Sequence, residues 1–114
     1  MKLSKAQQQI VNDLINYDSS SIQATVTSCG CEWNYLFAKR AEGMHMVMKN
    51  GVVMTKMEGF FEMYRPPYHM NQTTIKCLIR KKVLIPTMPD EEFAIQFALG
   101  TMEYRIYGLA EAYK

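Results

Sequence analysis

The residues of this chain best suited to metal or redox chemistry are three cysteines and two histidines. Cys29 and Cys31 lie two apart around Gly30, too close to staple a fold together easily, so reduced thiols are expected. With Cys77, His45 and His69 elsewhere in the chain, zinc is the metal to consider. Structural zinc sites are built from closely spaced ligand pairs, and no second pair accompanies the first. No metal site is assigned, and the cysteines are read as small half-buried residues around a turn glycine.

Catalytic chemistry finds no foothold either. There is no phosphate-cradling glycine loop and no nucleophile with a base, and His69 has no nearby carboxylate or serine, so it reads as a loop histidine. The one acidic run, Asp90-Glu91-Glu92, follows Pro89 and precedes FAIQFAL. It suits the first turn of a helix, where negative charge meets the positive end of the helix dipole. The chain is read as a non-enzyme with no cofactor.

Charge points elsewhere. From Lys39 to Lys82 there are nine Lys or Arg (39, 40, 49, 56, 65, 76, 80, 81 and 82) against Glu42, Glu58 and Glu62, although the whole chain carries a formal net charge of only +2. A basic middle segment is what an anionic partner requires. Its densest part is NQTTIKCLIRKKVLIP, residues 71–86, with four cations and no acid. Asn71 can cap a helix over 71–83, and a step of about 100° per residue gathers Ile75, Leu78 and Ile79 on one side. The opposite side then carries Thr73, Lys76, Cys77, Arg80 and Lys81. Exposed helices ordinarily mix Glu and Lys at i, i+4, because such pairs attract and like charges repel. The unmixed face is evidence for an anionic partner.

These residues need a scaffold. At 114 residues, with 48% apolar and 21% charged residues, the chain suits one domain spanning 1–114. No apolar run reaches the ~18 to 20 residues of a membrane span, and the start lacks the apolar core of a secretory signal. A cytoplasmic address with no membrane partner is expected. Ser4 caps LSKAQQQIVNDLINY, where Ala6, Ile10, Val11, Leu14 and Ile15 recur at helical spacing. IQATVTS and CEWNYLFA alternate as strands, the second placing Cys31, Trp33, Tyr35 and Phe37 on one side. Asn50-Gly51 between alternating runs predicts a two-residue type I′ hairpin. Pairs counted outward from it put Met44, Met46, Met48, Val53 and Met57 on one face, as core fillers, and His45, Lys49 and Lys56 on the other. EGFFEMYRPPYHM resists assignment, since Pro66-Pro67 ends any helix at Arg65. The expected fold class is α+β: an N-terminal helix, an antiparallel β-meander with an Asn-Gly hairpin, a basic helix 71–83 and a C-terminal strand.

TTIKCLIRKKVLIP, a spacer and then EYRIYGLAEAYK resemble the second half of a winged-helix DNA-binding domain, in which a recognition helix leads into a wing. The return strand of the wing corresponds to Tyr104, Arg105, Ile106 and Gly108, and LSKAQQQIVNDL resembles the first helix of small phage and mobile-element proteins of this kind. The chain departs from the pattern at Lys82, where glycine is usual, and in the proline-broken stretch before the recognition helix. The resemblance implies a regulator of transcription that binds double-stranded DNA, possible pairing into a homodimer, Gln72 and Thr73 nearest base edges, and Lys76, Arg80 and Lys81 on phosphates or bases. Lys49, Lys56 and Arg65 would add phosphate contacts. The alternative is a protein-interaction module, such as a phage-encoded inhibitor of a host nucleic-acid enzyme. It would dock through Trp33, Tyr35, Tyr64 and Tyr68 beside Pro66 and Pro67, or lay its basic helix on an acidic protein surface.

Overall fold

Ser4 starts the first helix by a reciprocal capping box: its hydroxyl accepts the Gln7 N–H at 3.2 Å, and its own N–H reaches the Gln7 side chain at 2.9 Å. This helix, α1, runs Lys5–Asn16 and buries Ile10, Val11 and Leu14, whereas Ala6 and Ile15, expected on the same stripe, are exposed. The computed structural model describes residues 2–17, 20–38, 45–47, 53–56, 63–100 and 103–114. The strands are β1 (Ser21–Val26), β2 (Glu32–Ala38), β3 (His45–Val47), β4 (Val53–Lys56), β5 (Met63–Arg65), β6 (Leu84–Pro86) and β7 (Tyr104–Leu109). They form one sheet in the order β3-β4-β5-β2-β1-β7-β6, antiparallel at every pairing. Helices α2 (Gln72–Arg80) and α3 (Asp90–Ala98) complete an α+β fold.

The core lies between the sheet and helices α1 and α2. Ile22, Ala24, Tyr35, Phe37, Tyr64, Tyr107 and Leu109 from the strands meet Ile10, Val11, Leu14, Ile75 and Leu78 from the helices. β1 alternates strictly between half-buried and buried residues, as the pattern in IQATV expects. β2 does not. Gln23 pairs with Leu36 but Thr25 pairs with Trp33, so Ala24 alone faces both Asn34 and Tyr35. Asn34 takes the left-handed conformation, at φ 52°, as the first residue of a G1-type bulge does, and asparagine tolerates it. The bulge overturns the expected common face of Cys31, Trp33, Tyr35 and Phe37. Tyr35 and Phe37 are buried toward the helices, whereas Trp33, paired with Thr25, keeps half its surface exposed.

The hairpin register is a second correction. A two-residue turn at Asn50-Gly51 pairs 48 with 53, but Val53 pairs with Val47 and Met54 with Met46. Met54, excluded from the expected core face, is fully buried. The turn itself lies outside the described residues, as do Met44, Met48, Lys49 and Met57. The unassigned stretch before the prolines contributes β5, which pairs with β2 on one side and β4 on the other. Pro66, which lacks a donor for the ladder, stands where the strand stops.

Helix α2 begins as expected, with the Asn71 side chain accepting the Thr73 N–H at 2.8 Å, but it ends at Arg80, earlier than residue 83. Lys82 occupies the left-handed region at φ 61°. Its N–H bonds to the carbonyl of Ile79, and the Val83 N–H bonds to that of Leu78, both at 3.0 Å. This is the Schellman pattern, in which glycine is the usual residue at the position held here by Lys82. It turns the chain directly into β6, which pairs with β7 at the sheet edge. Helix α3 bridges those two strands and has no buried residue.

Two substitutions test this account of α2. Lys82→Gly relieves a left-handed side chain and should raise stability by about 0.5 to 1 kcal/mol. Leu78→Ala should cost about 2 to 5 kcal/mol by opening a cavity under the helix. Urea unfolding measures both, and a lower midpoint for Lys82→Gly would refute the left-handed exit.

Candidate nucleic-acid interface

Helix α2 sits on α1, β2 and β6, with Ile75 and Leu78 fully buried beneath it. The opposite side presents Gln72, Lys76 and Arg80 at i, i+4 and i+8, with Thr73 beside them, and all four are exposed. Lys82 is exposed just beyond. Among the described residues the ion pairs are Arg105–Asp90 and Lys114–Glu111, so none neutralises the cations of α2. Arg80 donates to the Cys77 sulfur at 3.2 Å, within its own helix.

Two of the expected contact residues are engaged within the fold. Lys81 is half-buried, and its Nζ donates to Gln7 Oε1 at 3.2 Å, tying the end of α2 to the capping box of α1. Gln72 Nε2 reaches the Glu32 carbonyl at 3.4 Å, a long contact that an incoming acceptor can displace. Arg65 is exposed at the end of β5, where it lines a groove of about 610 Å³ with Asn34, His69, Asn71 and Gln72 at the start of α2. Lys56 belongs to β4, two strands away from β2, and Lys49 lies outside the described residues.

The structure also places an acid where linear spacing showed none. Glu32, from β2, lines a depression of about 300 Å³ with Lys76, Gly30, Tyr35, Ile79 and Tyr107. Its carboxylate accepts the Tyr107 hydroxyl, at 2.8 Å to Oε2, and more loosely the Tyr35 hydroxyl at 3.4 Å. Burial, together with the neighbouring carboxylate, pushes Tyr35 up to about 12 and Tyr107 well above the ordinary tyrosine value. Glu32 therefore shares this depression with Lys76. Sequence separation hid it, since Tyr107 and Glu32 are 75 residues apart.

The aromatic set proposed for a protein partner is mostly consumed by the core. Tyr64 is fully buried and packs edge-on against Tyr17 with ring centroids 5.8 Å apart, and Tyr35 is buried. Tyr68 is half-buried and donates its hydroxyl to the buried carboxylate of Asp13. Trp33 alone of the four is exposed, at 50%. Arg105, placed on the wing by the resemblance, is buried against Asp90 and the Met88 carbonyl, with its guanidinium 4.5 Å from the centre of the Phe93 ring. It pins α3 to β7 and is not displayed to a partner. Cys29 and Cys31, expected to be half-buried, are exposed in the β1–β2 turn, and the described residues hold no cluster that could bind a metal ion. No helix among them is long and apolar enough to cross a membrane. No family model matches the chain, and no curated protein and no solved structure matches it either.

The tyrosine–carboxylate cluster predicts alkaline lability. Folded Tyr35 and Tyr107 keep their protons above about pH 10, where unfolded tyrosines lose theirs, so their stabilisation is complete below about pH 10 and fades as pH rises toward about 12. Urea midpoints measured across that window should fall, and Tyr107→Phe should flatten the fall. An unchanged slope in that variant would place Tyr107 away from Glu32.

Proposed function

We propose that this chain binds double-stranded DNA through the exposed face of α2, as a winged-helix-like regulator of the phage or mobile-element type. The observation that carries the reading is the stripe Gln72, Thr73, Lys76 and Arg80, extended by Lys82, which no ion pair among the described residues neutralises. A duplex supplies dense negative charge to such a stripe, and the positive end of the α2 dipole adds to the attraction at its N-terminus. Lys76, Arg80 and Lys82 take phosphates, and Gln72 and Thr73 face base edges once Gln72 releases the Glu32 carbonyl. The left-handed exit of α2 into β6, paired with β7, supports the likeness of a recognition helix followed by a wing. Lys81 is removed from the contact set because Gln7 holds it. Arg65, His69 and Asn71 around the neighbouring groove extend the surface along the phosphate backbone.

A protein-interaction module remains the second reading. Its support comes from Ile95 of α3 and Leu99 just past the end of that helix, 60% and 70% exposed, and from Trp33. Exposed apolar residues of this size mark places where another chain can dock, a second copy included.

Binding to a random duplex across a salt series separates the readings. For the parent chain, the logarithm of affinity should fall against the logarithm of salt with a slope of about −3 to −5. Lys76→Gln with Arg80→Gln should fold as the parent does, because exposed substitutions usually stay within about 0.5 kcal/mol. The pair should reduce the slope by about 2 and weaken binding at moderate salt on the order of tenfold to a hundredfold. No duplex binding by the parent at about 50 mM salt would sink the DNA reading and transfer the weight to the exposed residues of α3 and Trp33.

A further inference from the structure

The turn joining β1 to β2, residues 27–31, is tightly built for a surface loop. Thr27 N–H bonds to the Cys31 carbonyl at 2.8 Å, and Gly30 N–H bonds to the Thr27 carbonyl at 2.9 Å. The Thr27 hydroxyl accepts the Cys31 N–H at 3.1 Å, which leaves its own proton free for the Cys29 sulfur 3.0 Å away. Gly30 holds φ +86° with open space where a Cβ would stand, so backbone conformation, not crowding, requires glycine. The result is two exposed sulfurs only 3.2 Å apart. Neither of the usual reasons for cysteine in a fold, burial in a core or a long-range staple, applies to them.

We infer that Cys29 and Cys31 form a thiol–disulfide exchange site, with Cys29 as attacking thiol, Cys31 as resolving thiol, and an accessible disulfide of the glutathione or peptide class as substrate. The Cys29 thiolate attacks one sulfur of the substrate, forming a mixed disulfide and expelling the other half as a thiolate. Cys31 then gives its proton to solvent and attacks the Cys29 sulfur, expelling the second half. Two electrons leave the Cys29–Cys31 pair, and the substrate disulfide becomes two thiols.

The surroundings set this order. Hydrogen bonds from Thr27 and from Cys31 hold Cys29 down at about 7, so it is substantially ionised at neutral pH. Cys31 is pushed above its ordinary value, chiefly by its hydrogen bond to Cys29 and by the charge there. Forming the mixed disulfide removes that charge, and Thr27 and the cation of Lys76 remain to favour the Cys31 thiolate. Resolution is thus switched on by the first step. Closing the sulfurs from 3.2 Å to the bond length of about 2.05 Å within a three-residue ring leaves a strained disulfide. Strained, exposed disulfides are readily reduced again, here by two thiols of the glutathione class, which are themselves joined as a disulfide while Cys29 and Cys31 return to thiols, so the site can cycle. The exchange needs nothing from the DNA-binding reading.

The test uses the full chain, reduced, freed of reductant and exposed without oxygen near pH 7 to oxidised glutathione, and separately to a disulfide-linked peptide. Intact mass and peptide mapping should show loss of two hydrogens and an internal Cys29–Cys31 bond, with whichever probe reacts identifying the substrate class. Cys31→Ser should stop at one adduct on Cys29. Cys29→Ser should form its first adduct about fivefold more slowly, the net of a larger thiolate fraction in the parent and the lower nucleophilicity of a more acidic thiol. Stable adducts on both cysteines, no reaction with either probe, or an unchanged rate in Cys29→Ser would each overturn the assignment.

Discussion

One extra residue in β2 sets the arrangement of everything around α2. Without the bulge at Asn34 and Tyr35, alternation from Phe37 would carry Trp33 inward and Glu32 outward. With it, Glu32 falls on the helix side, where its carboxylate meets Tyr107 and Tyr35, and Trp33 is left on the far face of the sheet. The bulge therefore decides which charge shares a depression with Lys76 and which aromatic residue a partner can reach. An Asn34 side chain in the left-handed region is the conformational cost of that exchange, and asparagine meets it at lower cost than most residues.

The seating of α2 is over-determined at both ends. Asn71 satisfies its first turn, the Lys82 exit satisfies its last carbonyls, and Lys81 ties it to Gln7 of α1. Ile75 and Leu78 hold it from below. The backbone of a helix fixed in this way keeps the anchor points of the stripe in place, so the ordering cost of contact with an anion is confined to the long side chains themselves. Glu32 tempers that surface. The field over the N-terminal turns of α2 is the sum of a helix dipole, a row of cations and one carboxylate set beneath them.

Local signals were legible in the sequence, and long-range ones were not. The Ser4 cap, the Asn71 cap, the Ile75 and Leu78 stripe, the acidic first turn of α3 and the strand at Tyr104 each rest on residues within a few positions of one another, and all are present. The failures share a different origin. β5 is a three-residue strand whose only reason to exist is its neighbours β2 and β4, so no periodicity announces it. The bulge changes a face without changing composition, and the β3–β4 register shifts by one residue, which puts Met54 on the buried side. At the candidate interface the cationic stripe was legible because it lies on one helix. The partners of Lys81, Tyr68, Tyr107 and Arg105 were invisible, since each is reached only through the tertiary fold. Exposure of the cysteines follows from the hairpin that carries them, which linear spacing did not show.

The outer border of the sheet at β6 has a chemical property of its own. Thr87 and Ala110 donate across the β6–β7 pair, so alternation turns the nitrogens of Leu84 and Pro86 away from β7. The nitrogen of Pro86 carries no proton. A strand from another molecule arriving at this border would find a single donor, that of Leu84, in the whole length of β6, and the Leu84 side chain is committed to the core. Pro86 thus blunts this border as a template for a further strand, as proline on an edge strand does.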